Sequence, residues 1–328
     1  MPGVRFLFSR ILMKTETLTF SVIIPCYNAG RWIARALHSV AAQTYTAHEI
    51  IVIDDGSTDD SIEQIWASGV KVHLLTTTRA NGAGARNAGI AAASGDWIAL
   101  LDADDIWYPN HLERAATLLS DSSDVAFMSA HDWIDLEDNV IPIPSGFKCD
   151  VNEPTSGLSD ARFLQVLSNG LHFGHSTVVY QRARLMEVGC FDVEQRRRHD
   201  IDLWLRMVHG HTWAYDTVKS VGYREGTPGS ISRELIDCEY YYLRALLKNS
   251  TLYPGEGMQK LIHTSARRGM GLAFVDGNPR EFRQAVEIGW PYLEPSFRAF
   301  YQLVTVCPPL FRWLLRVRRR IIWGKAAQ

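Results

Sequence analysis

Over the first hundred residues, short unbroken apolar runs alternate with segments of helical spacing. FSVIIPCY, from Phe20, is apolar on both faces and reads as a buried strand. RWIARALHSVAAQ places Ile33, Leu37 and Val40 on one side of a helix. EIIVIDDGS is a second buried strand ending at Asp54. TDDSIEQIWAS is a second helix, with Ser57 or Thr58 at its cap and acids in its first turn. VKVHLL is a third strand, GARNAGIAAASG a helix with an Ala-rich face that stops at Gly95, and DWIALL a fourth strand. Strands apolar throughout, alternating with helices, predict an α/β fold whose mostly parallel sheet is covered on both faces.

The pattern loosens after residue 125. DVAFMSAHDWID predicts a strand, with NVIPIP as its partner or a loop. Residues 145–158 are rich in Gly, Pro, Ser and Asn and predict a loop. FGHSTVVYQRARLMEVGCFD predicts a strand and a short helix, and HDIDLWLRM a helix holding Leu203, Trp204 and Met207. From residue 234 onward, successive helical patterns are separated by Gly and Pro breaks. At the end the character changes, for no acid follows Glu294. Within 310–325, Arg312, Arg316, Arg318, Arg319, Arg320 and Lys325 interleave with Phe311, Trp313, Leu314, Leu315, Ile321, Ile322 and Trp323. Such a tail suits a bilayer interface with its arginines on anionic headgroups, or a helix docked on the body of the protein.

Ligands of parallel sheets bind at the carboxyl ends of the strands. Here those ends carry PCYN, DDGS and DADD, so acids distant in sequence share one rim. Asp54 or Asp55 is placed there to accept hydrogen bonds from a base or ribose. Asp102 and Asp104, in DxD spacing with Asp105 beside them, repel one another. A hard divalent cation with phosphate co-ligands would offset that repulsion, and would neutralise charge on a leaving diphosphate. The competing reading is an acidic helix start, with Asp104 or Asp105 capping the helix after Pro109.

Of 328 residues, 46% are hydrophobic and 21% charged, which is globular composition with chain enough for a large core. A net charge of -2 argues against a nucleic-acid partner. The five cysteines are odd in number and include no CxxC, so reduced thiols and a cytoplasmic setting are expected. The lead-in MPGVRFLFSRILMKTETLTF is interrupted by Arg5, Arg10 and Lys14, which is unlike a signal-peptide core, and Met13 is a second candidate start. No run is long enough to span a membrane. Two other classes fail on position: a dinucleotide-binding dehydrogenase needs GxGxxG where PCYNAG stands, and a haloacid-dehalogenase-type phosphatase carries its DxD after the first strand, not the fourth.

Taken together, FSVIIPCYNAGRWIARALHSVAAQTY, EIIVIDDGSTDDS, NGAGARNAGIAAASGDWIALLDADD, VGCFDV and HDIDLWLRM resemble family 2 glycosyltransferases of the GT-A fold, over about residues 20 to 235. The resemblance implies an inverting transfer from a nucleotide-diphospho-sugar to an acceptor hydroxyl, helped by Mg²⁺ or Mn²⁺. It implies that Pro25, Tyr27 and Asn28 pack on the nucleobase and that Asp55, with Asp54 behind it, bonds the base. Arg86 then lies near the diphosphate or the base, Asp102 faces the ribose or the metal, and Asp104 is a direct metal ligand supported by Asp105. For Arg86 the competing reading is an exposed helix residue. Asp200 matches the general base, against a reading as a helix N-cap, and Asp202 reads as an exposed first-turn acid. The family pair Glu-Asp is here His199-Asp200, so His199 tunes Asp200 or contacts a phosphate. Arg196 to Arg198 are a solvated loop or hold the leaving group. His172 and His175 are candidates for acceptor contact. Where the family has Tyr-Arg-His, this chain has Tyr223-Arg224-Glu225, leaving Arg224 and Ser230 as phosphate candidates.

The resulting expectation is a lead-in at 1–19, a GT-A catalytic domain at 20–233 and a helical region with a basic amphipathic tail at 234–328. Its partners would be a nucleotide-sugar donor, a sugar or lipid-linked acceptor and, through the tail, the inner face of the cell membrane. The alternative is a non-catalytic nucleotide-sugar-binding module of a polysaccharide assembly system.

Overall fold

The computed structural model describes residues 17–142, 152–170, 173–227, 235–275 and 287–306. Its centre is a ten-stranded sheet. The first half runs β1 (Phe20–Cys26), α1 (Ile33–Ala41), β2 (Glu49–Asp54), α2 (Ser61–Ala67), β3 (His73–Thr76), α3 (Asn81–Ala92) and β4 (Trp97–Leu100). β3, β2, β1 and β4 lie side by side and parallel. The unbroken apolar runs have a simple cause: alternate side chains go to opposite faces, and both faces are buried. Val22 and Ile24 join one core cluster while Ile23 joins the other, and Val52 is likewise separated from Ile51 and Ile53. α3 lies close on β1 and β2 because Gly89 has no side chain. A Cβ there would come within 2.6 Å of Ile23 and 2.7 Å of Ile53.

After β4 the chain forms β5 (Ile106–Trp107), α4 (His111–Leu119), β6 (Ala126–Ile134), β7 (Val140–Ile141), β8 (Thr155–Ser159) and α5 (Asp160–Ser168). A 3₁₀ turn (His175–Thr177), β9 (Val178–Gln181), α6 (Arg182–Glu187), α7 (His199–Val208) and β10 (Thr212–Arg224) follow. β9 enters antiparallel between β4 and β6, β6 pairs parallel with β10, and β5 closes the edge antiparallel to β10. β7 is indeed the partner of β6. Two expectations change. Thr155–Ser159, which overlaps the end of the expected loop, is a strand paired with β10. α2 starts at Ser61 after Asp60 with no side-chain cap, because Ser57 and Thr58 turn instead to Asn28, at 3.0 and 2.8 Å.

α8 (Leu235–Lys248), α9 (Glu256–Val275) and α10 (Pro295–Val306) follow the sheet. Leu243, Leu246, Met258, Leu261 and Met270 share a core cluster with Trp204 and Leu205 of α7 and with Trp213 of β10. Trp204 and Trp213 meet edge to face with centroids 5.7 Å apart. Among the described residues, no helix is long and apolar enough to cross a membrane. Cys26, Cys190 and Cys238 are free thiols. Most of the lead-in, His172, Ser230 and the tail at 310–325 lie outside the described residues.

Candidate active site

The carboxyl ends of β1 and β2 form one wall of the rim. Pro25 sits near the end of β1, and Tyr27, 45% exposed, follows it. Arg79 donates to the Tyr27 hydroxyl at 2.6 Å and lies over its ring at 5.2 Å, holding an otherwise open aromatic face. Asn28 adopts a left-handed conformation with φ 50°, and its side-chain oxygen accepts the Thr58 amide across the rim. Asp54 and Asp55 take different roles. Asp54 accepts the Ser57 amide at 3.3 Å and closes its own turn. Asp55 accepts Thr77 Oγ1 at 2.7 Å and the Ala80 amide at 2.6 Å, both on Oδ1. Its Oδ2 is outside those bonds, so Asp55 is the better placed of the two to meet a base.

The three acids after β4 are equally distinct. Arg86, on α3 and only 5% exposed, donates from Nη2 to Asp102 Oδ1 and is therefore no exposed helix residue. Asp105 is buried and accepts the Arg224 amide at 2.8 Å and the Ser176 hydroxyl. Ser176 in turn accepts the Asp102 amide at 3.0 Å. Neither Asp104 nor Asp105 caps α4, whose N-cap is Asn110. Burial first, then the charge of Asp102, pushes the Asp104 carboxyl above the usual carboxylate range. Burial followed by Asp104 and Asp102 pushes Asp105 well above it. Arg224, a phosphate candidate by sequence, has its guanidinium spent elsewhere. It donates to Asp104 O at 2.6 Å, to Asp135 O and to Asp138 Oδ1, and rests over Trp32 at 4.5 Å. It clamps the acidic loop instead.

Among the described residues, no group of three or more His, Cys, Asp or Glu is arranged to hold a metal. Asp102 and Asp104 offer carboxylate oxygens, the donor type a hard cation takes, and Asp102 Oδ1 is already paired with Arg86. Asp105 does not join them, because its oxygens hold the loop together.

α7 brings the remaining chemistry. Asp200 lies within its first turn and not at its cap, which is Arg198 in a left-handed conformation with φ 53°. Asp200 Oδ1 accepts the Ile201 amide at 2.9 Å. Burial raises its pKa against the opposing charge of Arg198. The Tyr223 hydroxyl is pushed well up by burial, then by Asp105, Asp102, Asp104 and Asp200, and Arg86 bridges Asp102 to His199, the neighbour of Asp200. His199 bonds elsewhere. Its Nε2 is 3.3 Å from Arg86 Nη1 and 2.8 Å from His175 Nε2. Asp202 is not an exposed acid: it is 0% exposed, and is bonded by Arg206 at 2.7 Å and Asn249 at 3.0 Å, because α8 covers that side of α7. Arg197 pairs with Asp237 at 3.6 Å, while Arg196 and Arg198 are exposed.

Comparison with known proteins gives the family and the fold. Residues 21–189, about half of the chain, match the family described as Glycosyl transferase family 2. The chain belongs to that family. Its relatives include the glycosyltransferase YibD of Escherichia coli K12, 45% identical over 125 residues, covering 37% of this chain and 36% of YibD. They also include the UDP-Glc:alpha-D-GlcNAc-diphosphoundecaprenol beta-1,3-glucosyltransferase WfgD of Escherichia coli, 41% identical over 110 residues, covering 33% of this chain and 43% of WfgD. The chain thus spans about two fifths of the length of these relatives. The structure of Staphylococcus aureus TarS 1–349 with UDP-GlcNAc has a TM-score of 0.65 at 18% identity, over 83% of this chain and 79% of TarS 1–349. That likeness establishes the GT-A fold of this family 2 chain.

Three residues that shape the site carry no sequence signal of their own. Ser176 holds the acidic loop from far along the chain, and Arg79 and Thr77 support Tyr27 and Asp55 from the loop after β3. Only the fold brings them together.

Proposed function

We propose that this family 2 chain is an inverting glycosyltransferase taking its sugar from a nucleotide-diphospho-sugar. The observation that carries the reading is that Arg86 joins the two acidic stretches, bonding Asp102 of the DxD pair and His199, the neighbour of Asp200. In this reading Tyr27 stacks on the nucleobase, Pro25 and Asn28 shape its pocket, and Asp55 accepts from the base while Asp54 holds the turn. Arg86 and Asp102 flank the diphosphate. Asp102 and Asp104 would hold Mg²⁺ or Mn²⁺, which supplies neutralising charge for the departing diphosphate. Asp200 Oδ2 takes the proton of the acceptor hydroxyl as its oxygen bonds to the anomeric carbon. The bond from that carbon to the phosphate oxygen breaks, and the diphosphate leaves with the electron pair. A raised pKa suits this role, because a more basic carboxylate is a better proton acceptor.

The TarS structures hold UDP and UDP-GlcNAc, which supports a uridine donor here. A panel of nucleotide-sugars with Mn²⁺, read by thermal shift, tests this. Stabilisation by one uridine diphospho-sugar and not by nucleoside monophosphates is the expected result; no shift with any member would defeat the reading.

The acceptor named for WfgD is a lipid diphosphate, and a lipid-linked acceptor fits a chain whose sequence ends in a basic, aromatic tail. Peripheral seating on the cytoplasmic leaflet follows, with the arginines of 310–325 on anionic headgroups. Liposome co-sedimentation of the full chain should rise with anionic lipid content and fall with salt. A chain ending at Thr305 should lose that dependence. Equal, salt-insensitive partitioning of the two would remove the membrane role.

A further inference from the structure

His199 stands where the resemblance leads one to expect an acid, and its surroundings give it a different task. Arg86 makes three directed bonds: Nη1 to Gly82 O at 3.0 Å, Nη1 to His199 Nε2 at 3.3 Å, and Nη2 to Asp102 Oδ1. A guanidinium can only donate, so His199 Nε2 must offer a lone pair. His175 Nε2 faces the same atom at 2.8 Å. Two nitrogens that close need one N–H and one lone pair, so His175 carries its proton on Nε2, His199 carries its own on Nδ1, and the single lone pair of His199 Nε2 is shared between the His175 and Arg86 donors. The rings are nearly parallel, 4.7 Å apart at 13°. Phe191 meets both edge-on, with centroids 5.5 Å away in each case.

We propose that His175 and His199 form a neutral imidazole pair that positions Arg86 and commits its guanidinium to Asp102, thereby setting where the Asp102 carboxylate stands toward the ribose or metal of the donor. The use of that contact rests on the glycosyltransferase reading. The pair itself rests on geometry alone. A second charge beside Arg86 in this buried place is disfavoured, and burial followed by Arg86 pushes His199 down to about 3 and His175 well below its usual range. Neutrality has a consequence for Arg86. A carboxylate at position 199 would compete with Asp102 for its single positive charge, whereas an imidazole accepts the bond without drawing the charge away.

The same 3₁₀ turn governs both ends of the contact. Ser176 holds the Asp102 backbone amide, and its neighbour His175 holds, through His199, the cation that pairs with the Asp102 side chain. Displacement of that turn would therefore move Asp102 and Arg86 together. His199 and His175 act through Arg86 and are positioning residues.

Two measurements on the full chain test this. The first is binding of UDP with Mn²⁺ by calorimetry, with donor KM and kcat and the melting temperature followed in parallel. His199→Leu removes the acceptor and should weaken binding and raise KM by roughly tenfold or more, as expected for loss of a bond from a charged donor. His199→Gln restores an uncharged acceptor and should recover most of that loss. His199→Glu should behave like the Leu variant, because it draws Arg86 off Asp102. A merely structural role would lower the melting temperature of the Leu and Gln variants alike and leave affinity unmoved, which overturns the proposal. So does a Gln variant no better than Leu. The second measurement is independent of function: nitrogen-15 histidine spectra at neutral pH should give His199 as the Nδ1–H tautomer and His175 as the Nε2–H tautomer. An imidazolium signal from either overturns the pair. If the parent bound no nucleotide, the function reading would fall while these spectra alone decided the pair.

Discussion

Asp200→Asn should remove nearly all glycosyl transfer, by roughly 10²- to 10⁴-fold, the usual worth of a positioned general base. Donor affinity should stay near that of the parent. Asparagine keeps the shape of the side chain and the oxygen that accepts the Ile201 amide, so the start of α7 stays in place. What is lost is the basic oxygen, needed only as the acceptor hydroxyl attacks, and an interaction needed only in the transition state shows in kcat. The parent carries a second signature. Burial raises the Asp200 pKa, and the base works only when ionised. Activity must therefore fall as pH drops through that raised value, at a higher pH than for an exposed aspartate. A transfer rate in the Asn variant close to that of the parent would assign the proton to another group.

The second large effect is expected on the metal. Asp104 is half-buried and held above the ordinary carboxylate range by burial and by Asp102. Its charge is thus costly until a cation arrives, and a divalent ion would relieve both acids. Asp104→Asn should weaken Mn²⁺-dependent binding of nucleoside diphosphate on the order of a hundredfold, as loss of one charged oxygen from a small ligand set implies. The fold should survive, because it is Asp105 that holds the loop to Arg224 and Ser176. Calorimetry with and without Mn²⁺ separates the cases: the variant and the parent should differ with the ion and agree without it. Undiminished binding with Mn²⁺ would end the assignment of Asp104 as a ligand.

The donor half of this fold was legible in sequence because β1, β2 and β4 are buried on both faces. Double burial removes the usual alternation and leaves runs such as SVII and IIVI, which neither a half-exposed strand nor an amphipathic helix would produce. The acids stood out because each ends such a run. Residues whose surroundings are built from afar were not legible. Asp202 has the local look of a solvated first-turn acid, yet Asn249 and Lys248, at and just past the end of α8, bury and satisfy it. Arg224 follows a tyrosine as a phosphate ligand would, but a hairpin turn at Asp135–Asp138 takes up its donors. His199 is legible as a departure, while its partner His175 lies 24 positions away, on another element. Local pattern reports which face of an element is apolar; it cannot report which polar group a distant segment will bring.

α7 is covered on one side by Trp213 and Tyr180 of the sheet and on the other by α8, with Tyr253 bonding to Leu205 O at 2.7 Å. The helix that carries Asp200 thus has no free back. Substitutions in α8 must keep its seat, so matched changes on both sides of α7 would be tolerated more readily than an exchange of the terminal helices alone.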